Sequence, residues 1–160
     1  MAGRARAGKA TIYRRWRGKA DLVVDAMSRL ALRGLEVPDT GSVRDDLVGF
    51  GLSMADLLSG RLGRVATSVV GEVPRNAELA RAFRSSFWAT LQSGVHDILC
   101  RGADRGEVHG SAPLDLLPAI TAGPFILRLM VTGEPLDEPF VIRLVDEVMM
   151  PLLTMPRPAR

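Results

Sequence analysis

The sequence has a single cysteine and no apolar run long enough to cross a bilayer. Cys100 has no second cysteine with which to close a disulfide, so a secreted disulfide scaffold is excluded and we expect a protein of the reducing cytoplasm. The most apolar stretch, residues 116–127, is too short for a membrane span and is interrupted by Pro118 and Pro124. We therefore expect no membrane contact.

Strand-length alternation of apolar and polar residues is also absent, as are the motifs of a nucleophile elbow, a zinc protease, a P-loop and a dinucleotide site. Nothing in the sequence thus indicates a β-sheet, a cofactor or catalysis. What is present is apolar character: hydrophobic residues make up 47% of 160 residues, which is enough for a sizeable core. That length fits one ordinary domain, or a small N-terminal module joined to a larger one.

Positive charge is concentrated at the N-terminus. Residues 1–20 contain seven basic and no acidic side chains, a charge of +7, whereas the other 140 residues carry a net charge of −4. A cationic segment on a mildly acidic body suits a partner rich in phosphate, because each Lys or Arg at a phosphate releases condensed counterions. Nucleic acid is the favoured partner, and a solvated arm is the alternative.

Apolar residues recur with helical spacing along almost the whole chain, which predicts an all-α fold. The predicted helices cover residues 18–33, 43–59, 62–73, 77 to Gly102 or Gly106, 114–132 and 137–154. Ser42 and Asn76 are predicted N-caps, Ser42 as part of a capping box with Asp45. Pro113 is expected in the first turn of the fifth helix, and Gly123-Pro124 is expected to kink it.

The last two predicted helices are more apolar than a small monomer can easily bury. We therefore expect them to pair with a second copy of the chain, with burial inside one chain as the alternative. The expected interface residues are Leu117, Ile120, Ile126, Met130, Val141, Leu144, Val145 and Val148. Leu152 extends the same stripe.

Apolar side chains on the second and fourth predicted helices are suited to lining a pocket between helices. They are Met54, Leu57, Leu58, Phe83, Phe87, Trp88 and Leu91, and each is equally suited to ordinary core packing. Gly49 and Gly51 lie inside a predicted helix, where glycine is unfavourable, so they indicate either a close helix approach or space left for a ligand. Any ligand is expected to be mostly apolar.

Other polar residues offer weaker candidates. His96 and Cys100 stand four residues apart on one helix, but no further metal ligand is near, so packing is favoured over a metal or thiolate site. His109 is expected to be solvated. Asp45 and Asp46 are expected to interact with the N-terminal dipole of their helix.

The strongest functional motif is the segment GKATIYRRWRGKADL, residues 8–22, which has the layout of a short recognition helix, a turn and a support helix. Ile12 and Trp16 share one face and can anchor the segment. The remaining surface offers groups suited to phosphates and base edges. The candidate DNA-binding residues are Lys9, Ala10, Thr11, Tyr13, Arg14, Arg15 and Lys19.

This segment, GKATIYRRW above all, resembles the recognition helix of TetR-type transcriptional regulators. The resemblance implies an all-helical homodimer with a DNA-binding module, here residues 1–36, and a regulatory body, here residues 42–155, with an effector cavity. It also implies that Lys9, Thr11 and Tyr13 meet DNA, that Trp16 is the anchor and that Lys19 opens the support helix.

Residues 2–5 match only the end of the family's second helix, and Arg6-Ala7 replaces its Gly-Val turn. We expect the first helix and most of the second helix of the DNA-binding module to be missing from this sequence, through a real loss or through a true start upstream of Met1. The predicted function is a repressor that binds double-stranded operator DNA and is relieved by a small apolar effector. The alternative is a helical ligand-binding or dimerisation module that does not bind DNA on its own.

Overall fold

The structure is a computed structural model that describes residues 19–155, apart from the side chains of residues 19–21, 30, 31 and 61. Every regular element in this part is helical, which confirms the all-α prediction. The first three helices are α1 (Lys19–Gly34), α2 (Val43–Ser59) and α3 (Arg61–Glu72), and a 3₁₀ turn (Val73–Arg75) follows α3.

The other three helices each contain a π-helical turn. Helix α4 comprises Ala77–Phe83, the π turn Arg84–Trp88 and Ala89–Asp104. Helix α5 comprises Leu117–Leu127 and the π turn Arg128–Thr132. Helix α6 comprises Glu138–Arg143, the π turn Leu144–Met149 and Met150–Thr154.

Both predicted N-caps are confirmed. The Ser42 hydroxyl accepts a hydrogen bond from the Asp45 N–H, and the Asn76 side chain accepts one from the Leu79 N–H. The reciprocal half of the predicted capping box is not formed, because the Ser42 N–H donates to the hydroxyl oxygen of Thr40. Each cap satisfies an amide that the first helical turn leaves without a partner.

Helix α2 is the centre of the fold and packs against α1, α3, α4 and α6. Its buried face includes Phe50 and Met54, and Ile98 of α4 belongs to the same core. A Cβ added at Gly51 would lie 2.6 Å from Cγ1 of Val141 on α6. Of the two explanations offered for Gly51, close helix approach is therefore the one observed.

Gly49, the other glycine of α2, faces the linker that precedes the helix. A Cβ added there would lie 2.8 Å from Cγ of Pro38. The absence of a side chain at Gly49 therefore also allows a close approach, in this case between α2 and the linker that leads into it.

The π turn of α6 corrects the predicted stripe of that helix. Sequence spacing assigns Val148 and Leu152 to the buried row, but they are 42% and 36% exposed. Met149 and Leu153 take those places and are 1% and 0% exposed. A π turn contains more residues than an α turn, so every later apolar position moves round the helix by one residue.

The start of α5 also differs from the prediction. The helix begins at Leu117, with Pro118 in its first turn, and Pro113 lies in the turns before it. The Leu116 N–H donates to the Pro113 carbonyl oxygen, which closes one of these turns. Pro124 lies inside the α-helical part of α5, and a kink at this position stays a prediction. No helix among residues 19–155 is long and apolar enough to cross a membrane.

Candidate DNA-binding and effector sites

Helix α1 connects residues 1–18, which we call the basic segment, to the rest of the molecule. Of the candidate DNA-binding residues, Lys19 is the first residue of α1, and the other six lie outside the described residues. Val24 and Met27 are fully buried against the body. Ser28 is also buried, and its hydroxyl donates to the Val24 carbonyl oxygen of the same helix. Helix α1 is therefore firmly packed.

Helix α1 runs alongside α4 in the same direction. It packs on Ala77–Phe83 and on the π turn Arg84–Trp88, while Val37, just beyond its C-terminus, lies against Gly94. Lys19 precedes Val37 by nearly the same number of residues as Ala77 precedes Gly94. Because the two helices rise equally per residue, the start of α1 lies beside the start of α4.

The linker between α1 and α2 is clamped by a cluster of charged groups that sequence reasoning did not find. Asp46 has no exposed surface, and its Oδ1 accepts hydrogen bonds from the N–H and the hydroxyl of Thr40, each 2.7 Å long. Arg101 donates to the carbonyl oxygen of Pro38. Nη2 atoms of Arg101 and Arg105 lie 3.5 and 3.7 Å from Asp46 Oδ2. Asp45 and Asp46 both lie in the first turn of α2, as the dipole prediction expects, and Asp46 in addition binds the linker.

The electrostatics of this clamp favour charged carboxylates. Burial alone would raise the pKa of Asp46, but the hydrogen bonds from Thr40 and the charge of Arg101 lower it below its ordinary value. The hydrogen bond from Arg105 and the Val43 N–H lower the pKa of Glu107. Since Glu107 Oε2 lies 2.7 Å from the Val43 nitrogen, the same cluster fixes the N-terminus of α2 to the end of α4.

The predicted pocket residues are partly brought together. A partly enclosed, wholly apolar cavity lies between α2, α3, α4 and α5, and its interior volume is about 20 Å³. Its lining includes the predicted Met54, Leu57, Leu58, Phe87 and Leu91. It also includes Leu35, Ala66, Val70, Ala122, Phe125 and Ile126, which sequence reasoning did not assign to it.

Two predicted pocket residues do not line this cavity. The Phe83 ring packs on the Phe87 ring, with centroids 5.2 Å apart, and so supports one wall without facing the interior. Trp88 is half-buried against the core. Phe83 precedes the π turn of α4, and Trp88 is the last residue of that turn. A π turn changes the direction in which successive side chains point, so simple helical spacing does not predict their positions.

The predicted interface residues divide into two groups. Leu117, Val141, Leu144 and Val145 are buried inside the subunit, so their side chains are not available to a partner, which corrects the prediction at these four positions. Ile120 and Ile126 are half-buried, and Met130 and Val148 are exposed. Further apolar side chains accompany the exposed pair on α5 and α6, namely Leu127, Val131 and Leu152.

The histidines and the cysteine lie at the surface. Cys100 Sγ lies 3.4 Å from His96 Nε2, and both residues are exposed, so the expected packing role is wrong for these two side chains. His109 is exposed as predicted, with Nδ1 2.8 Å from the Ser111 hydroxyl oxygen. Among residues 19–155 no three His, Cys, Asp or Glu side chains are grouped so as to hold a metal ion.

Comparison with known proteins assigns this architecture to a family. The family model described as the tetracyclin repressor-like C-terminal domain matches residues 37–148. The HTH-type transcriptional regulator YdeS of Bacillus subtilis is 31% identical over 91% of this chain and 73% of its own length. The HTH-type transcriptional regulator Rv1556 of Mycobacterium tuberculosis is 35% identical over 96% of this chain and 76% of its own.

A solved structure and a named repressor agree with these matches. The crystal structure of the TetR family transcription regulator SCO0332 superposes with a TM-score of 0.82, at 26% identity, over 92% of this chain and 81% of that one. The DNA-binding transcriptional repressor TetR of Mycobacteroides abscessus is 30% identical over 96% of this chain and 80% of its own length. The chain belongs to the TetR family of transcriptional regulators, and it is a protein of that class rather than an enzyme.

Proposed function

We propose that this chain is the subunit of a homodimeric repressor whose affinity for operator DNA falls when a small apolar molecule enters the cavity between α2 and α5. The observation that carries the proposal is the position of Leu35. It is the first residue after α1, and its side chain lines the cavity. A change in the volume of the cavity therefore acts directly on the C-terminal end of α1, the helix that follows the proposed DNA-binding segment.

The closed state of the cavity defines what an effector must do. A volume of about 20 Å³ holds roughly one water molecule, and an apolar lining keeps such a space dry. Sites for small organic ligands enclose about 300–1,000 Å³, so an effector has to push the walls apart. Leu57 is one of those walls, and its Cδ1 is so close to Gly34 that a Cβ there would lie 2.8 Å away.

Expansion of the cavity thus displaces Gly34 and Leu35, and with them the C-terminal end of α1. In a dimer, tilting both α1 helices changes the distance between the two DNA-binding segments. Such a ligand lowers DNA affinity only if it binds the displaced state more tightly than the closed one. The apolar lining favours an effector with a hydrocarbon or aromatic body.

The DNA contacts of the proposal come from the basic segment. Lys9, Thr11 and Tyr13 are assigned to phosphates, and Arg14 and Arg15 to a phosphate or a guanine edge. Two further residues complete the set: Ala10 is assigned to a thymine methyl group and Lys19 to the backbone at the start of α1. Because the chain acts on DNA, the cytoplasm is its proposed location.

The dimer surface of the proposal is the outer apolar face of α5 and α6. It contains Met130 and Val148, which the sequence already indicated, together with Leu127 and Val131, which are 52% and 74% exposed. Exposed apolar side chains grouped in this way are typical of protein interfaces. A symmetric pairing would bury the same face on both copies.

The test is a fluorescence anisotropy titration of a duplex that carries the promoter region next to the protein's own gene, with octanol as the apolar probe. We expect binding to that duplex to exceed binding to a scrambled duplex, and octanol to weaken it. Leu91→Phe, whose added volume is close to that of the cavity, should fill it without pushing the walls apart, and so should bind DNA and lose the response to octanol. Equal binding of both duplexes would contradict the proposed regulator function, and an unchanged octanol response in Leu91→Phe would contradict the cavity as its origin.

A further inference from the structure

A second basic surface lies at the turn between α3 and α4. Arg75, Arg81 and Arg84 line a recess of about 580 Å³ whose remaining walls are small and apolar. We call it the basic recess; its other lining residues are Val73, Pro74, Ala77 and Ala80. All three arginine side chains are exposed to solvent.

The three guanidinium groups are not neutralised by neighbouring acids. Among residues 19–155, neither Arg81 nor Arg84 forms an ion pair with a carboxylate. Arg75 has a long hydrogen bond, 3.4 Å, to the carbonyl oxygen of Gly71. Glu72 and Glu78 are close in sequence, but neither lines the recess. Like charges brought together in this way attract an anion.

The basic recess lies at the end of the molecule where α1 begins. Because α1 and α4 run in the same direction, Lys19 at the start of α1 lies beside the first turns of α4, which contain Arg81. The strongly cationic residues 1–18 are joined to that same point by the peptide bond to Lys19. The start of α1, which the cationic residues 1–18 precede in the sequence, therefore lies at the same end of the subunit as the basic recess.

We propose that the basic recess is an accessory DNA-binding surface, in which Arg75, Arg81 and Arg84 bind backbone phosphates of the duplex beside the bases read by the recognition segment. The inference rests on the proposed DNA-binding function and extends it to a part of the regulatory body. Guanidinium groups suit this partner because their fixed N–H donors match phosphate oxygens. The contribution is independent of base sequence, since phosphates are the same at every step.

The test compares Arg81→Ala/Arg84→Ala with the wild-type chain in anisotropy titrations of the promoter duplex and of a scrambled duplex, over a series of potassium chloride concentrations. We expect the double variant to bind both duplexes more weakly by a similar factor. The slope of log K against log salt should become less negative by about 0.9 for each phosphate that the variant no longer binds. Circular dichroism spectra of each variant establish that it is folded.

Two further variants serve as matched controls. Arg64→Ala removes an exposed arginine near the other end of α3, beside Arg128 and Glu134, and should leave affinity and salt slope unchanged. Glu78→Gln removes an exposed acid from the first turn of α4 and should strengthen binding to both duplexes. An increase in affinity is a result that partial unfolding does not produce.

The outcomes separate this inference from the proposed function. Wild-type binding that prefers the promoter duplex, with an unchanged salt slope in Arg81→Ala/Arg84→Ala, would overturn the accessory surface and leave the regulator intact. No binding of either duplex by the wild type would overturn both. A third outcome is that inorganic pyrophosphate quenches the tryptophan fluorescence of the wild type but not of the double variant, while the double variant binds DNA as the wild type does. The recess would then be a site for small anions, and its assignment to DNA would also be overturned.

Discussion

Asp46 accepts two hydrogen bonds from Thr40 through a single carboxylate oxygen. Thr40 lies in the linker that follows α1, whereas Asp46 lies in the first turns of the central helix α2. Arg101 completes the arrangement, because it pairs with Asp46 and donates to the Pro38 carbonyl oxygen. The linker is thus held at both the backbone and the side chain, which sets the path of the chain from α1 to α2.

Removing the charge of Asp46 should destabilise the fold strongly. Asp46→Asn leaves Arg101 and Arg105 without their buried counterion, and the expected loss in the free energy of unfolding is about 3 kcal/mol. Asp45→Asn is the matched control, since Asp45 is exposed, and its effect should stay within about 0.5 kcal/mol. Urea denaturation measures both values. Equal effects of the two substitutions would contradict the clamp.

Acid should weaken the protein through the same cluster. Asp46 and Glu107 have pKa values below their ordinary ones in the folded state, so the unfolded chain takes up protons first as the pH falls. Their contribution is fully present above the ordinary values of about 4. It is lost as the pH falls through the lower, folded values. Urea midpoints across this range should decline less steeply for Asp46→Asn than for the wild type, and parallel curves would disprove the linkage.

Alanine at two glycines should have opposite effects. Gly51→Ala places a methyl group against Val141 at the crossing of α2 and α6, and overpacking of this kind costs about 1–3 kcal/mol. Gly71→Ala puts the same group on α3 with no atom within 4 Å, and better helix propensity should stabilise by up to about 1 kcal/mol. Thermal unfolding compares them. Val141→Ala should recover part of the stability in the Gly51→Ala background, and its failure to do so would place the strain elsewhere.

Enlarging the apolar cavity should create a binding site for a small hydrocarbon. Leu91→Ala removes a buried wall and should cost about 2–5 kcal/mol of stability. Benzene should then raise the melting temperature of Leu91→Ala by more than that of the wild type, because the variant's cavity is open before binding whereas the wild-type walls have to be pushed apart. Val65→Ala, at a partly exposed position on α3, is the control and should not respond. A benzene response of equal size in the wild type would show that its cavity already opens freely.

The outer face of α5 should carry self-association. Val131→Glu places a charge on the most exposed apolar side chain of that helix and should convert a dimer to a monomer in sedimentation velocity. Leu32→Glu introduces the same charge on α1, at a side chain that is 66% exposed, and should leave the dimer unchanged. A monomeric wild type, or dissociation by both substitutions, would contradict the proposed interface.

Local sequence decided which stretches are helical and where two of the helices begin. The spacing of apolar residues determined which stretches are helical, and Ser42 and Asn76 marked two N-termini, because capping involves residues only a few positions apart. The chemistry expected of the recognition segment is likewise read from adjacent residues, through its basic and hydroxyl side chains.

Tertiary structure decided the relations between distant residues. Asp46 differs from Asp45 because the linker turns back onto it at Thr40 and because α4 brings Arg101 and Arg105 over it. Leu35 reaches the cavity only because α1 ends against α2. The π turn of α6 exchanged Val148 for Met149 in the buried row, since the number of residues per turn depends on how the whole helix packs. The physical reason is the same in each case: helix formation is governed by neighbours along the chain, whereas burial and ion pairing are governed by where the helices cross.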